Sequence, residues 1–165
     1  MPGYVIHLAV GKVYEENNKI NNIMEFEKGI IAPDMVSDKA KSHYGLYSSQ
    51  PNLNEYIRRN KKSDEYKEGY FLHLLTDYLF YNRFLTRWDS NIYNDYNKLN
   101  HILIEKYDIS IPKEIQQIVK FESGNTEIIK RDKFYRFIDS VGKIDIRAIF
   151  LKGNINFEKE CWLEL

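Results

Sequence analysis

The sequence predicts an all-α fold, a single domain over residues 1–165 packed around one long buried helix. Three observations carry this. The stretch 68–84 is strongly apolar and free of proline, so it reads as helix rather than loop. Apolar residues recur three and four apart in several other segments, the spacing that places them on one helical face. A length of 165 residues with 43% hydrophobic and 29% charged side chains fits one globular unit with a sizeable core.

Residues 5–18 form the first expected helix, with Ile6, Leu8, Ala9, Val10, Val13 and Tyr14 as its apolar surface and His7 inside that run. Residues 21–31 form a second, with Ile23, Met24, Phe26 and Ile30 inward. Pro33 is expected to end it, because proline donates no backbone hydrogen bond and pushes the preceding residue toward extended angles. Asp34 then sits on a turn, and 34–50 reads as a structured loop holding Ser42-His43-Tyr44-Gly45. A short helix follows at 51–60. The central helix spans about 64–88, capped by Ser63 and ended by Asp89-Ser90-Asn91. Further helices are expected at 92–107, 112–121 and 131–141. The segments 145–151 and 157–165 fit helix or strand.

Composition excludes several function classes. The 24 basic and 24 acidic residues balance to zero formal charge, which gives no global case for nucleic-acid or anionic-membrane binding. The basic run Arg58-Arg59-Asn60-Lys61-Lys62 reads as solvated surface. The one cysteine, Cys161, excludes an internal disulfide and a thiolate metal cluster. No apolar run is long enough to cross a bilayer, and Met1-Pro2-Gly3-Tyr4 has no charged, apolar leader, so the expected location is cytoplasmic.

On the central helix His73 and Asp77 are four residues apart and share a face that is otherwise Tyr66, Tyr70, Phe80, Tyr81 and Phe84. A carboxylate there is costly unless something positive holds it. The pair can grip one cation, or it can be a hydrogen-bonded ion pair with no metal. Asp34 and His43 are the other ionisable residues in apolar or turn-constrained settings. Together, two carboxylates and two imidazoles suit zinc, though manganese, iron and nickel accept the same ligand types. His101 and Glu105 repeat the four-residue spacing on the next helix, with Asp95 nearby.

The order Ala32-Pro33-Asp34, then His43-Tyr44, then Gly69-Tyr70-x-x-His73-x-x-x-Asp77 resembles the zinc-dependent phospholipase C family, which is related to the fungal zinc nucleases that cleave single strands. The resemblance covers about residues 1–105. It implies an all-helical fold and a zinc site held by His7, Asp34, His43, His73 and Asp77, with Asp77 able to bridge two ions. His101 and Glu105 match the family's later His–carboxylate pair. The chain also departs from the family. No tryptophan starts it, Phe80-Tyr81-Asn82-Arg83 stands where a further histidine is usual, and four histidines are too few for three zinc ions. One or two ions are therefore expected.

The implied function is zinc-dependent hydrolysis of a phosphoester, with Asp34 or Asp77 accepting a proton from an activated water. The substrate would be a nucleotide, a phospholipid head group or a small phosphomonoester. Arg83, or Arg58 and Arg59, would bind phosphate, and His101, Glu105 and Asp95 would serve a second metal or the substrate. An HD-type phosphohydrolase needs an adjacent His-Asp dipeptide, which this chain lacks. The alternative of another class is a non-catalytic helical module, metal-binding or metal-free, that acts through a protein partner.

Overall fold

Side-chain caps start most of the helices. Asn22, Asp38, Asn52, Asp64 and Asp145 each accept a backbone N–H three residues ahead, satisfying a donor that a helix start leaves free. The computed structural model describes residues 3–157 and contains no strand among them. Its helices are α1 (Tyr4–Asn17), α2 (Ile23–Met35), α3 (Lys39–His43), α4 (Leu53–Arg59), α5 (Glu65–Leu79), α6 (Ile92–Tyr107), α7 (Arg131–Gly142) and α8 (Ile146–Lys152). A π-helical turn, Phe80–Phe84, continues α5, and a single 3-10 turn, Lys113–Ile115, lies between α6 and α7. None of these helices is long and apolar enough to cross a membrane.

Two helices form the centre. α5 is buried from Glu68 to Leu79 apart from the half-exposed Tyr70 and Tyr78. α1 is buried from Val5 to Gly11 and packs against α2, α5, α6 and α7. Phe71, Leu74, Leu75 and Phe80 are fully buried, and each such side chain contributes about 1.5–3 kcal/mol by leaving water.

α2 and α5 run side by side in the same sense, and this crossing positions the site. A Cβ at Gly69 would strike the Phe26 carbonyl oxygen, and one at Gly29 would strike that of Tyr66. Only glycine admits backbone at that distance. The contact repeats one turn later, where His73 meets Ile30, and again where Asp77 comes near Asp34.

Several expectations need correction. Pro33 does not end α2, which continues to Met35. In the last turn a proline removes only one acceptor's partner, the Gly29 carbonyl, so Asp34 lies on the helix and not on a turn. The central α-helix ends at Leu79, and the residues up to Phe84 take π geometry, with Leu85 extended. Its cap is Asp64, not Ser63. The expected helix at 112–121 is reduced to the 3-10 turn, and the loop 34–50 contains α3. Of the two ambiguous segments, 145–151 is helical, and 158–165 lies outside the described residues.

One pH response arises from the α1–α2 contact. Burial first, and then the charge of Glu27, raise the Glu15 carboxyl from 4.5 to about 7. The folded state therefore holds a proton that the unfolded state has lost. The stability this confers is complete below about 4.5 and is lost as pH rises through about 7. Glu15→Gln is expected to flatten this decline and to raise the melting temperature at pH 8 more than at pH 5. Equal shifts at both pH values in a thermal melt would refute the assignment.

Candidate metal centre

Four elements each deliver part of one buried cluster. α1 brings His7, the C-terminal turn of α2 brings Asp34, the end of α3 brings His43, and α5 brings His73 and Asp77. Asp34, His43, His73 and Asp77 each present a ligand atom within 4.8 Å of the others. His43 Nε2 lies 2.9 Å from Asp77 Oδ2 and 3.7 Å from Asp34 Oδ1. His73 Nε2 lies 3.3 Å from Asp77 Oδ2 and 3.5 Å from Asp34 Oδ1. His7 Nε2 reaches the other oxygen, Asp77 Oδ1, at 3.1 Å, and its ring stacks on His73 with 3.6 Å between centroids.

The imidazoles are oriented from behind. His73 Nδ1–H donates to the Ile30 carbonyl at 2.6 Å, in the turn that Pro33 interrupts. His43 Nδ1 meets the Lys39 carbonyl at 3.0 Å and Ser42 Oγ at 2.8 Å. Tyr70 then ties α3 to α5 by donating to the Ser42 carbonyl at 2.6 Å. Each Nε2 is thereby turned toward the carboxylates. A backbone carbonyl behind a metal-binding histidine has the same role.

Electrostatics follow from burial. Burial alone would lower the His73 pKa, but Asp34 and Asp77 overcome it and raise the group to about 10. His7 moves down, through burial and the neighbouring His73. Burial opposes the ionised Asp77 carboxylate, yet His73 and His7 hold it well below the usual range. The nearby carboxylates of Asp34 and Asp77 thus favour the protonated form of His73.

The donor set fits a divalent cation. Among the described residues, six of the eight buried side-chain nitrogen and oxygen atoms without a hydrogen-bond partner belong to His7, Asp34, His73 and Asp77. Buried polar atoms are rarely left without a hydrogen bond, and these, four of which face an imidazole nitrogen or carboxylate oxygen of the same cluster at 3.1–3.7 Å, could hold an ion. Two imidazoles and two carboxylates also bring the formal charge of a dication near zero, which a core tolerates.

Other candidates lie elsewhere. Asp95 is fully buried, but its carboxylate accepts the backbone N–H groups of Glu127, Ile128 and Ile129, fixing the loop before α7. His101 and Glu105 are exposed on the polar face of α6, with the His101 ring resting 4.4 Å from that of Phe121. Arg83 is exposed on the π turn, and Arg58 and Arg59 both pair with Glu55. One residue escaped the sequence reading. Lys39 Nζ donates to the carbonyls of Asp34, at 2.6 Å, and Val36, at 2.7 Å, and lies 4.0 Å from Asp34 Oδ1. A five-residue helix is too short for periodicity to reveal it.

Comparison with protein-family models, with curated proteins and with solved structures gave no match. Fold and site alone define the class: an all-helical protein with a buried Asp–His–His–Asp group that could hold a metal ion.

Proposed function

We propose that this chain is a zinc-dependent phosphoester hydrolase similar to the phospholipase C and zinc-nuclease family, with one or two ions held by Asp34, His43, His73, Asp77 and His7. The carrying observation is the set of four ligand atoms within 4.8 Å, concentrated where buried polar atoms lack partners. The motif order in the sequence supports the same reading. Zinc, when bound, supplies Lewis acidity toward a phosphoryl oxygen and lowers the pKa of its water.

The chain's own residues have separable roles. His43 and His73 present Nε2 with Nδ1 fixed by backbone carbonyls. Asp77 faces His43 and His73 with one oxygen and His7 with the other, so it would hold one ion and could share in holding a second. Neither oxygen of Asp34 has a hydrogen bond, so Asp34 is the better placed of the two acids to accept a proton.

A second reading is favoured by one observation: the side chains of all five residues are fully buried. A structural metal is closed off by protein ligands, whereas a catalytic one keeps an open position. Zinc-loaded protein purified without a polyhistidine tag, assayed with bis(p-nitrophenyl) phosphate and p-nitrophenyl phosphate, separates the readings. The hydrolase reading expects zinc-dependent turnover that falls at least about 100-fold in Asp34→Asn, the scale of a lost general base. Stoichiometric zinc without turnover of either ester would leave the metal as a structural element.

A further inference from the structure

Lys39 joins the buried cluster to a surface cleft of about 520 Å³. Its ammonium is 4.0 Å from Asp34 Oδ1, yet its side chain is 34% exposed while that of Asp34 is inaccessible. The cleft walls carry Tyr47, Tyr81, Trp88 and Tyr93. Trp88 is 60% exposed and Tyr47 65%, so both rings present open apolar surface to the cleft. The π turn that follows Asp77 supplies Tyr81 and Asn82. Asn82 donates to the Ser49 carbonyl at 2.9 Å and so fixes the opposite wall.

We propose that this cleft is the vestibule of the metal centre and that it takes an oxyanion bearing a flat ring, such as an aryl phosphate or phosphonate. Lys39 is the anion anchor. An ammonium has three donors, and two are committed to the carbonyls of Asp34 and Val36, which leaves one for an incoming oxygen. The rings of Trp88 and Tyr47 offer flat apolar surface to the ester group. Charge sets the order of the two parts: the anionic end lies toward Lys39 and the dication site beyond it, and the ring remains outward. This inference rests on the hydrolase reading and names the substrate's chemistry.

The test is a titration of zinc-loaded full-length protein with phenylphosphonate, which resists hydrolysis, read by tryptophan fluorescence. Trp88 is one of two tryptophans, and Trp162 lies outside the described residues. The expected result is a saturable change that disappears in Trp88→Phe. In Lys39→Met binding weakens about tenfold, the scale of one lost charge-assisted contact, with zinc stoichiometry retained. Lys39→Arg, which keeps the charge, restores most of the affinity.

Unaltered binding in Lys39→Met, or an unaltered signal in Trp88→Phe, would overturn the proposal. So would a response to anionic phospholipid vesicles with none to phenylphosphonate, which would make the aromatic face a lipid-docking surface. The two readings fail separately. Lys39-dependent binding without ester turnover removes the hydrolase and keeps the cleft. Turnover whose KM is the same in Lys39→Met removes the cleft and keeps the hydrolase.

Discussion

On the proposed zinc reading, chelation of zinc-loaded protein is expected to lower the melting temperature by about 8–16 °C. A ligand present at a thousand times its dissociation constant stabilises by about 4 kcal/mol, and each kcal/mol is worth about 2–4 °C in a chain of this size. The structural reason lies in Asp77, whose two oxygens face His43 at 2.9 Å, His73 at 3.3 Å and His7 at 3.1 Å. Asp77→Asn keeps the shape and removes the charge that every nearby imidazole uses. This variant is expected to hold no zinc and to melt at the same temperature with and without chelator. Elemental analysis and calorimetry check both statements, and a wild-type melt indifferent to chelator would sink the metal centre.

The same cluster fixes the sign of the pH response. In the metal-free protein His73 is raised to about 10, so its contribution to stability is full below its ordinary 6.5 and is lost as pH rises toward 10. At neutral pH Nε2 carries a proton that a metal must displace. Zinc uptake is therefore expected to release protons at pH 7 and to weaken as pH falls. A weakly buffered titration with a pH indicator reads this release directly.

The parts of this centre that the sequence made legible lie on long helices. His73 and Asp77 are four residues apart in a stretch apolar enough to be buried, so their shared direction followed from helical geometry alone. His7 sits inside the apolar run of α1, and Asp34 and His43 stand out by their apolar or turn-constrained settings and by their order relative to that pair. The errors occurred where local propensity competes with packing. Pro33 is tolerated because the turn it loosens is tied to α5 through the Ile30 carbonyl and His73. The π turn after Leu79 carries no local signal, since Phe80 and Tyr81 suit an α-helix as well. His101 and Glu105 have the correct spacing on the wrong face, which is visible only once α6 is packed.

Replacing Gly69 by alanine is the substitution that connects fold to site most directly, because two physical effects oppose each other there. Helix propensity alone predicts stabilisation by about 1 kcal/mol, since glycine is the poorer helix former. Packing predicts the reverse. The new methyl group would collide with the Phe26 carbonyl oxygen and crowd the Ile30 amide, and both belong to the backbone of α2 and cannot rotate away. Overpacking costs about 1–3 kcal/mol, and an obstacle made of fixed backbone puts this site at the top of that range, so the clash outweighs the propensity gain by about 2 kcal/mol and the melting temperature falls by roughly 4–8 °C. The damage propagates because α2 and α5 keep one register over three turns, from Phe26 and Gly69, through Ile30 and His73, to Asp34 and Asp77. Forcing the first pair apart draws the Ile30 carbonyl from His73 Nδ1 and moves Asp34 from the other ligands. Gly69→Ala is therefore expected to lose zinc under conditions in which circular dichroism still shows it helical. A rise in melting temperature with full zinc stoichiometry would mean that the two helices can separate freely, and that their close crossing does not set the geometry of the centre.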